Sequence, residues 1–192
     1  MGQYYAPCTI RKVNTKTGVQ ARPIKWMYSH DYNSGLKLME HSWRLNPFVN
    51  TFAKTLLSGK PKRVVWAGDY ADPEYTKNED DAPNLYDFCS DGIRIKPTEL
   101  TDAETDEFLN KKPYLCNYDK KQYVDINNLP DIDGWRVHPL PLLTAEGNGR
   151  GGGDYHNNNG SVHFVGLWAR DRVAFRCKPP KGFKVIYPNF AE

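Results

Sequence analysis

The sequence predicts an α+β fold in which a mainly antiparallel sheet of about eight or nine strands is accompanied by two or three helices. Three observations predict it. Short runs rich in Tyr, Trp, Val and Ile recur along the chain, separated by turn-forming Gly, Pro, Asn and Asp rather than by helical crossovers. Only two segments join a helix start signal to apolar residues at helical spacing. Finally, 192 residues suit one domain with a full core, whereas two small domains would each lie near the lower limit of self-sufficiency. Residues 1–192 are therefore read as a single domain.

Strands are expected over Gln3–Val13 and Val19–Tyr28, joined by the polar hairpin loop Asn14–Gly18. Asn46-Pro47 then supplies a helix cap and a proline at the first helical position, Phe48, Phe52, Leu56 and Leu57 follow on one face, and Gly59 closes the element. The apolar run Val64-Val65-Trp66-Ala67 marks a buried strand within Arg63–Asp69, and the acidic, turn-prone stretch Tyr70–Asn84 reads as a surface excursion. A second helix starts at Thr101 or Asp102, where Thr101 and Glu104 have capping-box spacing, and turns Phe108 and Leu109 inward before Pro113. Tyr114–Tyr118 and Gln122–Ile126 form a hairpin around Asp119-Lys120-Lys121. Trp135–Leu143, Val162–Trp168, Arg172–Arg176 and Phe183–Tyr187 are the remaining expected strands. Val65-Trp66-Ala67-Gly68-Asp69 is echoed by Leu167-Trp168-Ala169-Arg170-Asp171, which is read as two strands that both end on a core tryptophan and a turn-capping aspartate.

Composition narrows the classes. Aromatic residues make up 13% of the chain, so rings contribute heavily to the core. A net charge of +3 arises from 26 basic and 23 acidic residues that are scattered rather than gathered into a stripe, which argues against a nucleic-acid partner. Lys60-Pro61-Lys62-Arg63, the densest basic cluster, reads as a solvated loop before a strand. The four cysteines form no C-x-x-C pair, and the five histidines show neither His-x-x-x-His nor His-Glu-x-x-His spacing, so no metal site and no cofactor is assigned. The start of the chain has no signal-peptide pattern, and no apolar run is long enough to span a bilayer. A cytoplasmic protein without a membrane partner is expected.

The segment that asks for a function is Gly147-Asn148-Gly149-Arg150-Gly151-Gly152-Gly153-Asp154. Glycine lets bare backbone approach a ligand but makes the unfolded chain costlier to order, so such a density needs a reason. Consecutive amides can curl into an anion-binding nest, and a guanidinium above them offers a planar fork to phosphate or carboxylate. The segment lies between two expected strands and lacks both the Rossmann and the P-loop pattern, so a long hairpin loop is the plain alternative. If it is a site, Gly149, Arg150, Gly151, Gly152 and Gly153 form the cradle, and Arg170 adds positive charge from the next turn. Asp154 would orient the arginine or accept from a ribose hydroxyl, and His156 would exchange a proton near neutral pH. Asp69 and Asp72, where a buried strand emerges, complete the candidates for acid or base chemistry. Whether ligand is turned over is left open. His41, beside Ser42 but without a Gly-x-Ser-x-Gly elbow, is read as a packed histidine.

Met1-Gly2-Gln3-Tyr4-Tyr5, Gly35–Glu40, Trp66–Asp72, Asn148–Asp154 and Gly166–Arg172 together resemble a family of small proteins found in bacteria and their phages. The resemblance spans most of the chain. It implies a phage or mobile-element setting and carries no activity, ligand or site residue with it. Two functions are therefore expected in order: binding of a nucleotide or other anionic small molecule through the glycine-rich loop, and, as the alternative, an interaction module that inhibits a host protein without a small ligand. The 12 tyrosines and 5 tryptophans supply interface anchors for the second.

Overall fold

The computed structural model of the protein describes residues 3–15, 18–74, 83–97, 102–147 and 164–190. Its elements are β1 (Tyr5–Thr15), β2 (Gly18–Trp26), α1 (Leu38–His41), α2 (Pro47–Lys54), β3 (Lys62–Gly68), β4 (Ile93–Arg94), α3 (Asp102–Lys111), β5 (Tyr114–Asn117) and β6 (Gln122–Asp125). They continue with β7 (Asp131–Ile132), β8 (Trp135–Arg136), α4 (Pro139–Thr144), β9 (Ala145–Glu146), β10 (Arg172–Arg176) and β11 (Lys184–Val185). The fold is α+β, as the sequence predicts. A nine-stranded sheet runs in the order β11-β6-β5-β10-β3-β1-β2-β4, with β9 paired to β3, and β7-β8 is a separate hairpin. Most pairs are antiparallel. The exceptions are short two-residue pairings, β2 with β4, β3 with β9 and β6 with β11.

Alternation along the central strands gives the sheet two unlike faces. On one, Tyr5, Val64 and Trp66 join Phe48, Val49 and Phe52 of α2, Leu140 and Leu143 of α4, and Trp168 and Phe175 in the main core. Phe48 and Phe52 meet the Trp66 ring edge-on at centroid distances of 6.1 and 5.1 Å. On the other face Ala6, Cys8 and Ile10 of β1, Ala21 of β2, and Val65 and Ala67 of β3 make a shallow floor, covered by Leu85 and Cys89. The first face carries most of the apolar burial.

Helix α2 starts as read from the sequence: the Asn46 side chain accepts from the amides of Phe48 and Val49 at 3.0 and 3.3 Å, and Pro47 sits where no amide is needed. Two expected strands are corrected. In Trp135–Leu143 only Trp135–Arg136 is strand. His138 then accepts from the Leu140 amide, and Pro139 opens α4, repeating the cap-then-proline start of α2. The described part of Val162–Trp168 is turn, because Gly166 and Arg170 at φ 78° and 66° bend the chain away from extended geometry. The tryptophan echo thus joins two fully buried rings, Trp66 and Trp168, of which only the first lies in a strand.

Candidate functional site

Two buried carboxylates and one guanidinium meet on the shallow face. The Arg170 backbone is fixed at the start of β3, its amide donating to the Val64 carbonyl at 2.8 Å and its own carbonyl accepting from Arg63 at 3.0 Å. From there its side chain runs along the sheet toward β9. Arg170 Nε and Nη2 donate to the two carboxylate oxygens of Glu146 at 2.5 and 2.6 Å, a bidentate fork, and Nη2 also donates to Glu74. The other oxygen of Glu74 accepts from the Ala21 amide of β2 at 3.0 Å. The Glu146 and Glu74 side chains are 1% and 2% exposed and Arg170 is 19% exposed, so the cluster is nearly enclosed yet the arginine keeps one open edge. Its Nη1 group donates to none of the described residues.

Burial opposes the charge on Arg170, but the hydrogen bonds to Glu146 and Glu74 outweigh it, and the guanidinium pKa is raised. Arg170 is a fixed cation at any pH the fold survives. Both glutamates are buried carboxylates bonded to this guanidinium, and such charges are costly to bury unless they are paired and hydrogen-bonded. Beneath it Cys8 is fully buried. Its thiol is pushed well above its ordinary pKa, first by desolvation and then by the contact with Cys89, and it is inert as a nucleophile.

The backbone around the cluster is tightly drawn. Ala67 of β3 stands in parallel register with Glu146, and a Cβ on Gly68 would run into the Gln3 side chain and come to 2.7 Å from the Glu146 carbonyl. Only glycine permits that approach. Asp69 follows: its carboxylate accepts from the Tyr4 amide at 3.0 Å, its amide donates to the Tyr4 carbonyl at 3.0 Å, and its carbonyl accepts from Asn84 at 2.9 Å. Asp69 fastens the start of β1 to the end of β3. Asp72 is half-buried, two residues before Glu74.

Of the residues predicted from sequence, Arg170 thus reaches the residue directly before the glycine-rich segment, while Asp69 bonds Tyr4 and Asn84. Gly149, Arg150, Gly151, Gly152, Gly153, Asp154 and His156 lie outside the described residues. In Arg170-Asp171-Arg172 the three charges part: Arg170 turns inward, while Asp171 pairs with Lys120 at 2.6 Å and Arg172 with Asp119 at 2.7 Å. Glu74 and Glu146 went unread in the sequence. Glu74 lies in the acidic excursion among exposed-looking neighbours, and Glu146 is marked only by standing next to Gly147.

His41 and His138 lie on the opposite face and carry no site. His41 donates from Nδ1 to the Gly35 carbonyl at 3.0 Å and accepts at Nε2 from the Trp66 indole at 2.9 Å, which fixes a neutral ring. Among the described residues no three His, Cys, Asp or Glu side chains are grouped to hold a metal ion, and no helix is long and apolar enough to cross a membrane. Comparisons of the chain with protein-family models, with characterised proteins and with solved structures find no match.

Proposed function

We propose that this protein binds a small anionic ligand of nucleotide type on the shallow face of its sheet, with Arg170 as one anchor and the glycine-rich segment as the other. The observation that carries the reading is the guanidinium locked by two buried glutamates with one edge unspent, one residue away from the start of a segment that is mostly glycine. A bidentate carboxylate removes the rotational freedom of the arginine, so a ligand meets a donor pair that is already oriented.

The geometry of the cluster divides the ligand between the two anchors. Nε and Nη2 of Arg170 already meet carboxylates, so its open Nη1 edge suits a neutral acceptor, such as a base edge or a hydroxyl. The phosphate then belongs over the amides of Gly149–Gly153 and the cation Arg150. Asp154 and His156 are the acid and base to test for turnover, after binding is in hand.

Native mass spectrometry of the purified protein with a nucleotide pool is the test. Retained mass that disappears in Arg150→Ala and is displaced by excess inorganic phosphate supports the reading. Absence of any added mass, or mass that survives both, rejects it.

A further inference from the structure

A second surface, remote from Arg170 in sequence and held by other elements, is built around an exposed indole. Trp135 is 64% exposed, unusual for so large an apolar side chain. It is not on a loose loop. β7 and β8 are joined by Asp133 and Gly134 alone, both at positive φ (51° and 79°), as in the two-residue turns whose twist matches that of paired strands. The hairpin is fastened to the body of the protein by an antiparallel bridge between Trp43 and Val137 and by the Arg44 amide, which donates to the Arg136 carbonyl at 2.9 Å. The Trp135 ring leans on that of Trp43, centroids 6.1 Å apart at 50°, and Trp43 in turn packs on the main core. Beside the pair lies an open groove of about 380 Å³ whose walls include Trp43, Leu45 (44% exposed), Asn46, Arg44 and Arg136.

Charge selects among the occupants of such a groove. Among the described residues its walls hold the guanidinium groups of Arg44 and Arg136 and no carboxylate. A second copy docked on it by a twofold axis would set the exposed Arg136 of each copy on the same self-facing groove, like charge toward like charge. A phosphodiester chain needs cations in succession, and here Arg44 is 3% exposed, leaving Arg136 as the one exposed cation among the described residues of the groove. Asp131 stands opposite Arg136 in the hairpin register but closes no ion pair with it, so Arg136 is open to a partner's acid. We propose that the groove docks a segment of another protein that carries one aromatic or long aliphatic side chain next to carboxylates. The apolar group lies against Trp135, Trp43 and Leu45, and a carboxylate meets Arg136.

The test uses the whole protein as bait for a random peptide library displayed on yeast, followed by synthesis of the winners. Enriched peptides are expected to pair an aromatic residue or leucine with neighbouring Asp or Glu. Trp135→Ala should weaken the best of them at least about tenfold, as hot-spot tryptophans do, without moving the thermal midpoint of a ring that is mostly in solvent. Arg136→Glu should weaken it too, with recovery when the peptide's acid is exchanged for lysine. Failure to enrich any peptide, enrichment without acidic residues, or indifference to Trp135→Ala would each overturn the proposal. So would a labelled oligothymidine bound through Trp135 more tightly than any peptide, or self-association in sedimentation that Trp135→Ala abolishes.

Discussion

Acid should unfold this protein through His41 and His138, the two buried histidines among the described residues, and His41 permits a quantitative check. Its ring is fully buried, donates from Nδ1 to Gly35 and accepts at Nε2 from the Trp66 indole, so a second proton would set an N–H against an N–H. Desolvation, only partly offset by the Gly35 carbonyl and Glu40, lowers its pKa from 6.5 to about 4. The unfolded chain therefore takes up a proton below pH 6.5 that the folded chain refuses until about pH 4. Stability is full above pH 6.5, falls as pH drops through that window, and levels off below it. The loss from His41 alone is ~3 kcal/mol, at about 1.4 kcal/mol per pH unit. His138, fully buried and held down to about 3 by desolvation and by the nearby Arg44, adds a second proton and doubles the slope. Asp119, lowered below its ordinary value of 3.8 despite partial burial by its bonds to Arg172, titrates beneath this range. The assay is urea unfolding at intervals between pH 7 and 4.5, for the natural protein and for His41→Gln, whose amide can still donate and accept. At pH 7 the variant should lose ~1–3 kcal/mol with the ring packing against Phe48, but its slope with pH should be about half that of the natural protein. Parallel slopes would refute the argument, as would an NMR titration in which the His41 ring of the natural protein gains its proton above pH 5.5.

Arg170→Met should cost ~3–5 kcal/mol at pH 7, because it removes the guanidinium to which the buried Glu74 and Glu146 carboxylates are both bonded. Urea unfolding of the variant beside the natural protein would register the loss. Asn46→Ala removes the acceptor for two amides at the start of α2 and should lower stability by ~1–2 kcal/mol in urea titrations. In native protein a thiol reagent should modify Cys177, which is exposed, while the buried Cys8, Cys89 and Cys116 wait for denaturant. Burial pushes the Cys116 thiol up to about 12, reinforcing its protection.

What the sequence made legible was local. The Asn46-Pro47 start and the apolar face behind it involve residues within two turns of one another, and the Thr15↔Gly18 end of the first hairpin is likewise decided by neighbours. His138-Pro139 carried the same signal as Asn46-Pro47, but the apolar run to Leu143 outweighed it in a reading by alternation. The turn through Gly166 and Arg170 hides for a related reason: its apolar residues are buried by packing against Leu142 and Leu143, to whose carbonyls Gly166 and Trp168 donate, and not by pairing as a strand. The charged cluster was the least legible part. Glu74, Glu146 and Arg170 are brought together by a two-residue parallel pairing and by turns, contacts between residues up to 96 apart that leave no period in the sequence.

The division of labour between the two faces explains why the candidate site can exist where it does. Buried apolar area sets the hydrophobic contribution, and Ala6, Cys8, Ala21 and Ala67 have little to give, whereas Trp66, Phe48, Phe52 and Trp168 on the other side bury large rings. Stability is thus loaded onto one face. The other is left with room above small side chains, which Leu85 and Cys89 share with the charged cluster. A buried Glu–Arg–Glu set is a poor stabiliser, since apolar replacements of similar volume often do as well or better. Its presence on the face that contributes least to folding, with one guanidinium edge left unspent, is better accounted for by a demand to hold Arg170 in one orientation than by a demand for stability. The replacement Glu74→Gln with Glu146→Gln and Arg170→Met separates the two demands: a fold as stable as the natural one that no longer retains a nucleotide would assign the cluster to binding.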